Sequence, residues 1–581
     1  MSNITNYLNK VKTAIYGKEV RGAIHDAIKQ VYDDASVEHD NANMEVKLAR
    51  GTHNTLNDRL DNVDEIQAQT NAQLSQLVIN VKDFGAKGDG ITDDRVAIQL
   101  AIDSSKNVDK NTIVYFPAGV YKIDATANNE KGLQLKSDIT YLFHSKSELH
   151  AITTDSTHYS ILMLDTCENI TIDGATLIGE RGTHTGTTGE WGMGIELLDC
   201  KNITITNCTI NDMWGDGIHI TNSYKDLAKC ENIVIDNVSF NNNRRQGISV
   251  LTAENVLIKN SRFTNTGGTA PGYGIDIEPD HGGLKAKNIV IDNCYFSNND
   301  GGGVVFGGGN GCEKITITKC EFHGDNINNT SSSTKNVIIR DNIIQNSNIV
   351  SEAGFSIDII NNKIYCDNPS NEIAAIGISA NASSTHSNAS INIDSNTVQG
   401  CWKGVLITPS FKNSKITLRR NSFVNLIGNY GSNGIQFYDT DGSGNIVDIT
   451  NNIFNNIAGD CIAIGSDNTN ISGNVFKEST QLAIYVAKNM VSMTIINNIF
   501  DDISTKRTHP LIEVVGGTTN VFVLNNKIKS PNAVSVFKNS YAGAIGGNVI
   551  LNNVIIGGSN HFSQLNSGDI NQNNQVVGTI G

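Results

Sequence analysis

The chain has few aromatic residues, 6% of its 581, and only seven prolines. A core built around large rings is therefore not expected; stacked Ile, Val and Asn have to replace it. The small proline count stands beside 54 glycines, which fits many turns closed by Gly and Asn. No apolar run reaches the roughly 18 residues of a membrane span, so no membrane insertion is expected. The opening MSNITNYLNKVK has no apolar stretch of the kind a secretion signal carries, so no secretory leader is expected. There is no basic excess either. The formal net charge is −15 and no basic stripe is present, which argues against a nucleic-acid partner. The same charge disfavours a strongly anionic substrate unless a local basic cluster offsets it. No Cys-x-x-Cys occurs, which disfavours zinc.

What the chain does have is a repeat. From about residue 169 to about 552 a short pattern recurs: Asn or Lys, a β-type run, then Asn or Asp. It reads NITIDG at 169–174, NITITN at 202–207, NIVIDN at 232–237, NVLIKN at 255–260 and NIVIDN at 288–293, and continues to NVFVLNN at 520–526. The spacing, roughly 22 to 33 residues, is the range of solenoid repeats. Ile and Val alternate with Thr, Asp, Asn and Lys, so each unit is a strand. A short alternating strand cannot bury its apolar face alone and must stack on its neighbours. The expected fold is all-β: a right-handed parallel β-helix, or solenoid, over 80–555, with a carboxy-terminal tail at 556–581.

Of the ten cysteines, seven follow the repeat. Cys167, Cys200, Cys230 and Cys312 fall just before the strand motif; Cys208, Cys294 and Cys320 fall just after it. One register in successive coils predicts thiols stacked inside the rod as small apolar groups, reduced rather than bridged.

Ahead of the rod the pattern turns helical. In 1–50, Val20, Ile24, Ala27, Ile28 and Val31 form one apolar stripe. A small helical hairpin and a docking segment for a larger assembly both fit it. In 51–79, Leu56, Leu60, Val63, Gln67, Thr70, Leu74 and Leu77 keep a 4-3 spacing. That is a heptad seam about three heptads long, with an amphipathic linker helix as the alternative. A Gly-rich turn at 85–90 then leads to a capping helix near 92–105, with Thr92 or Asp93 as N-cap and Ile98, Ala101 and Ile102 facing inward. The lysine and Ser/Thr of a phosphate-binding loop are missing there.

The run 81–123, from VKDFGAKGDGITDD to VYFPAGVYKI, resembles the entry segment of the pectate-lyase-like right-handed β-helix superfamily, which includes many bacteriophage tailspikes. The segment YGKEVRGAIHDAIKQVYDDA at 16–35 resembles the amino-terminal region of tail or baseplate proteins of phages of Gram-positive hosts. The resemblance implies a homotrimer in the virion tail, made in the host bacterial cytoplasm. It also implies attachment to tail or baseplate proteins through 1–50 and, through 51–79, a short trimeric coiled-coil neck.

Candidate chemistry concentrates in 190–282. Four coils share a Gly-apolar-x-apolar frame whose third positions are Glu196, His219, Ser249 and Asp276. Alternation along a strand predicts that these form one outward column. Glu278 lies two residues past Asp276 on the same face, and paired carboxylates at such separations carry acid/base or nucleophilic glycoside chemistry. Asp276 and Glu278 are the expected central carboxylates, with His219, Glu196 and Asp216 assisting. Arg244 and Arg245 are candidates for an anionic substrate group. Trp191 and Trp214 are candidates for a sugar-stacking wall, with Tyr273, Asp280 and His281 as further binding residues. Structural roles in turns compete at each position. Asp276, Glu278, Asp280 and His281 are also a candidate divalent-cation set, although no cofactor and no metal are the expectation. The order Glu278-Pro279-Asp280-His281 resembles the Asp-Pro-His-Asp motif of alginate epimerases but departs from it in identity and order. The motif set of polygalacturonases is not found.

The later frames carry Ser379, Leu406 and Gln436, with only Asp439 and Asp441 as a charged pair. Two functions follow. One is a depolymerase, lyase or glycoside hydrolase, acting on a host-surface glycopolymer such as capsular polysaccharide or teichoic acid. The other is a non-catalytic adhesin using the same groove.

Overall fold

The computed structural model describes residues 17–36, 49, 51–105, 112–223, 229–279, 284–352, 356–367, 373–379, 386–408, 411–428, 431–439, 444–487, 490–503, 509–515, 518–529, 535–539, 547–556, 562–563, 565 and 569–577. Asp280, His281 and Asp441 lie outside the described residues, as does much of 1–50.

Each coil passes through three short strands, one in each of three parallel sheets. In one coil these are Trp191–Leu198 in sheet 3, Lys201–Thr206 in sheet 1 and Thr209–Asn211 in sheet 2. The next coil supplies Ile218–Thr221, Cys230–Asp236 and Ser239–Asn241, paired in parallel with them. Sheet 1 alone gathers 19 strands. The result is a right-handed parallel β-helix. Alternation decides which side chains go in: Ile203, Ile205 and Ile210 are fully buried, whereas Thr204 and Thr206 between them reach the surface. Each inward Ile leaves water at a gain of ~1.5–3 kcal/mol, so burial is the main force holding a coil.

The repeated Asn residues are explained by the bends. Asn202, Asn232 and Asn255 have φ of 55, 58 and 61°, and Asn207, Asn237 and Asn260 have φ of 55, 55 and 52°. Asn enters this left-handed region more readily than most residues. Their amides then stack: Asn232 Nδ2 donates to Asn202 Oδ1 at 3.0 Å and Asn255 Nδ2 to Asn232 Oδ1 at 3.0 Å.

Three expectations about the core need correction. Eight cysteines are free and buried, but Cys366 and Cys401 form a disulfide between consecutive coils. They fall outside the stacked register, just after neighbouring sheet 2 strands, where two turns run side by side. Aromatics, though scarce, do form stacks: Phe240, Phe263, Phe296 and Phe322 lie 4.8, 4.9 and 4.6 Å apart, and Phe423, Phe454, Phe476 and Phe500 form a second column. The coil ladder also runs past 555: Ile570–Gln572 and Gln575–Val577 pair with the coil before them.

Helix α1 spans Gly17–Ser36, α2 Leu56–Leu77 and α3 Arg95–Ser104. Thr55 and Asp58 cap α2 reciprocally, each accepting the other's backbone N–H at 2.8 and 3.0 Å. Leu60 and Ile66 on α2 are exposed, and the helix runs straight into the first strand, Val78–Asn80. Helix α3 buries Ile98, Ala101 and Ile102 as expected, but its N-cap is Asp94. The Asp94 carboxylate is not used on the helix; it accepts the backbone N–H groups of Lys87 and Gly88 and so holds the Gly-rich turn. Among the described residues no helix is long and apolar enough to cross a membrane.

Candidate functional site

The outward column of sheet 3 follows from the register. Glu196 pairs with His219, His219 with Ser249 and Ser249 with Asp276. The column then turns bland, through Val305, Asn328, Val350, Gly377, Leu406 and Gln436. Ser379 lies two residues beyond the column, opposite Glu352.

The column points away from the core but is largely covered. Glu196, His219, Ser249 and Asp276 are 5, 9, 1 and 4% exposed, and Asp216 is fully buried. The cover comes from the turns that join sheet 2 to sheet 3. The turn at 179–190 is pinned by a buried knot in which Tyr159 Oη donates to Glu180 Oε1 at 2.6 Å and His184 Nδ1 lies 2.9 Å from the same oxygen. His184 stacks on Trp214 at 3.7 Å, and the Arg244 guanidinium lies over the Trp214 ring at 3.8 Å. Trp214 is therefore sandwiched and buried, whereas Trp191 is 45% exposed and pairs with His158. The two tryptophans do not make one wall.

The arginines are engaged as well. Arg245 donates to Asp216 Oδ2 at 3.0 Å, and Ser249 Oγ donates to the same oxygen at 2.7 Å. Arg244 donates to the carbonyls of Gly189 and Trp214 at 2.9 and 3.3 Å. Burial raises the Asp216 carboxyl above the usual carboxylate range, against the pull of Arg245 and His219. Asp276 Oδ2 accepts from the buried Gln246 Nε2 at 2.9 Å, and Gln246 Oε1 accepts the Tyr273 N–H at 2.8 Å. Glu278 is exposed, one residue past its strand, and no hydrogen bond joins it to Asp276. Downstream, Asp439 accepts from Asn445.

Open space meets this column at Glu196 and His219. A groove of about 710 Å³ is lined there by His158, Trp191, Glu196 and His219, with Lys131 and Lys201 near its rim. Glu196 Oε1 lies 3.4 Å from His219 Nδ1, Glu196 Oε2 lies 3.9 Å from His158 Nε2, and Ser160 Oγ donates to Glu196 Oε2. His158 Nδ1 in turn lies 3.2 Å from Glu130 Oε2. Burial pushes the Glu196 carboxyl upward, but the His219 hydrogen bond and charge, then Ser160 and His158, hold it below the usual carboxylate range. A buried carboxylate between two imidazoles, beside an exposed indole, can orient and exchange protons over a bound ring.

His158, Ser160 and Glu130 were not anticipated. The strand His158–Asp165 lacks the Gly frame, which hid its register.

Comparisons with known proteins agree with this architecture. Residues 78–294 match the family model described as rhamnogalacturonase A/epimerase, pectate lyase-like, and residues 226–389 match the right handed beta helix region. The uncharacterised protein YclG of Bacillus subtilis is 28% identical over 62% of this chain and 64% of its own length. The SPbeta prophage-derived uncharacterised protein YorA of the same organism is 26% identical over 51% of this chain. The chain spans 64% and 50% of the length of these two relatives. Among solved structures, bacteriophage phi29 gene product 12 superposes with a TM-score of 0.52 at 15% identity, covering 87% of this chain and 75% of that one. The rod is thus a right-handed parallel β-helix, and its 78–294 portion is similar to the pectate-lyase-like model.

Proposed function

We propose that the chain is a phage tail protein that binds a bacterial surface glycopolymer, capsular polysaccharide or teichoic acid, in the groove at Glu196 and His219 and depolymerises it. The carrying observation is the Glu196–His219 contact opening on a groove with an exposed tryptophan at its side. In this reading Trp191 stacks on a sugar ring. His219, between the carboxylates of Glu196 and Asp216, takes or delivers the proton at the bond being broken, and Glu196 holds the imidazolium form. Asp216 and Asp276 neutralise and position Arg245, and Glu278 extends the groove as a free carboxylate. Lys131 and Lys201 at the rim meet anionic groups of the polymer.

A family description naming polysaccharide-active enzymes and a prophage-derived relative support the polymer and the phage setting. The exposed Leu60 on the seam of α2 supports a homotrimer joined through 56–77, with 1–50 docking on the tail. Mass photometry at micromolar concentration tests the trimer; a stable monomer refutes it. Incubation with purified polymers, followed by chain length, reducing ends and unsaturated-uronate absorbance, tests the reaction. Tight binding without shortening would favour an adhesin.

A further inference from the structure

The turns from sheet 2 to sheet 3 change length abruptly along the rod. The turn at 265–272 is long, and those at 298–301, 324–326 and 346–348 are short. Three successive short turns after a long one leave a depression three coils deep, about 14 Å along the rod at ~4.8 Å per coil. A groove of about 590 Å³ lies there, within the usual size range of ligand sites. Its floor is flat because it is built on glycine. A Cβ at Gly302 would come within 1.9 Å of Asn326 Oδ1, and φ at Gly302 is 128°.

The polar groups lining it differ from those elsewhere on the rod. Most bend amides hydrogen-bond to the coil before them, as Asn232 and Asn255 do. Here the Asp300 carboxylate, the Ser347 hydroxyl, the Asn348 amide and Asn326 Oδ1 have no hydrogen-bond partner among the described residues. Trp402 is half-buried at the far end beside the exposed Ile373, giving an apolar wall opposite these groups. Among the described residues the lining includes the carboxylates of Asp300 and Asp367 and no Lys, Arg or His.

We propose that this groove is a second carbohydrate-binding site, taking a stretch of about two to three sugars that carry no acidic group. Sugar hydroxyls suit the unengaged carboxylate, hydroxyl and amides, and an indole offers one ring face a stacking surface. Two carboxylates without a cation repel uronate or phosphate. The floor lies about five coils, roughly 24 Å, from Glu196, so a long polymer could occupy both grooves and gain avidity from the second. This site does not rest on the upstream groove being catalytic.

The test is a glycan array with neutral, amino and acidic oligosaccharides, probed with the intact chain and with Trp402→Ala, Ser347→Arg and Glu196→Gln. Ser347 sits half-exposed on a short turn, so Ser347→Arg fills the groove without opening the core, should Trp402→Ala fail to fold. The expected result is binding of non-acidic glycans that falls at least tenfold in Trp402→Ala and Ser347→Arg. Three results would overturn the proposal: no glycan bound by the parent chain, binding indifferent to Ser347→Arg, or groove-dependent binding confined to acidic glycans. Loss in Glu196→Gln alone would place all binding upstream.

Discussion

The coils before and after residue 340 build the same cross-section from different chemistry. Between sheets 1 and 2 one residue per coil points inward. Upstream it is Cys208, Val238, Ser261, Cys294 and Cys320; downstream it is Asn342, Asn362, Asn396, Asn421, Asn452, Asn474, Asn498, Asn526 and Asn553, all buried. Each of these asparagines up to Asn526 donates to the next one's Oδ1, as Asn421 does to Asn452 at 3.0 Å, and also to a carbonyl of the preceding coil, as to Ile393 at 2.8 Å. The outer face is reversed. Upstream it carries Glu196, His219, Ser249 and Asp276 in four consecutive coils; downstream the same column is Gly377, Leu406, Gln436 and Ala463 before it turns polar again at Tyr485, Glu513 and Lys538. The polar network that regularises the rod is inside in one half; the polar network available to a ligand is outside in the other. Turn insertions accompany the second, since covering loops are what bury and orient a charged column.

The sharpest way to break this comparison is at an ion pair. Arg245→Met leaves the buried Asp216 carboxylate unpaired and should cost about 3–5 kcal/mol. Lys538→Met removes the more open partner of Glu513, 3.3 Å away, and should cost under about 1 kcal/mol. Guanidinium unfolding midpoints compare the two; equal losses would mean the upstream cover is looser than its burial implies.

Next come the inner positions. Asn421→Ala removes one rung and strands the Asn452 and Ile393 acceptors, at an expected ~2–3 kcal/mol. Cys294→Ala in the matching upstream position should cost about 1 kcal/mol, a small apolar truncation. Melting curves that rank the two the other way would deny the ladder its role.

Acid titration reads one buried carboxyl in each half, since burial raises Asp325 upstream to about 6 as well. Burial raises Asp460 to about 6. Between the ordinary carboxylate value near 4 and pH 6 the unfolded chain releases this proton while the folded chain keeps it. Stability therefore falls as pH rises through that window, by about 3 kcal/mol for a two-unit shift. Asp460→Asn should flatten that part of the profile; an unchanged slope would assign it to other groups. The smallest effect concerns thiols. The buried upstream cysteines should resist alkylation in the folded chain and react only on unfolding, whereas dithiothreitol should open Cys366–Cys401 without exposing them. Mass spectrometry after iodoacetamide counts both classes.

The coil and its outward column were legible in the sequence because a side-chain period of two and a Gly frame survive without any knowledge of turns. Glu196, His219, Ser249 and Asp276 fell in register for that reason. Their cover was not legible. Whether Asp276 or Glu196 meets solvent depends on how the turns at 179–190 and 265–272 fold over the sheet, and Arg245 as a tie to Asp216 depends on contacts between coils. The Phe columns were missed for a related reason: one residue per coil makes no local pattern. Cys366 and Cys401 lie one and two residues past paired sheet 2 strands, outside the register of the other thiols.

We propose that polymer cleavage takes place in the upstream groove. It is tested most directly by incubating purified capsular polysaccharide and teichoic acid with the parent chain, Glu196→Gln and Glu513→Gln, and following polymer length with time. The account predicts that the parent and Glu513→Gln shorten one polymer at the same rate, while Glu196→Gln, folded and of the parent's oligomeric state, is slower by about 10²–10⁴-fold. Equal rates for the parent and Glu196→Gln, or loss only in Glu513→Gln, would contradict it.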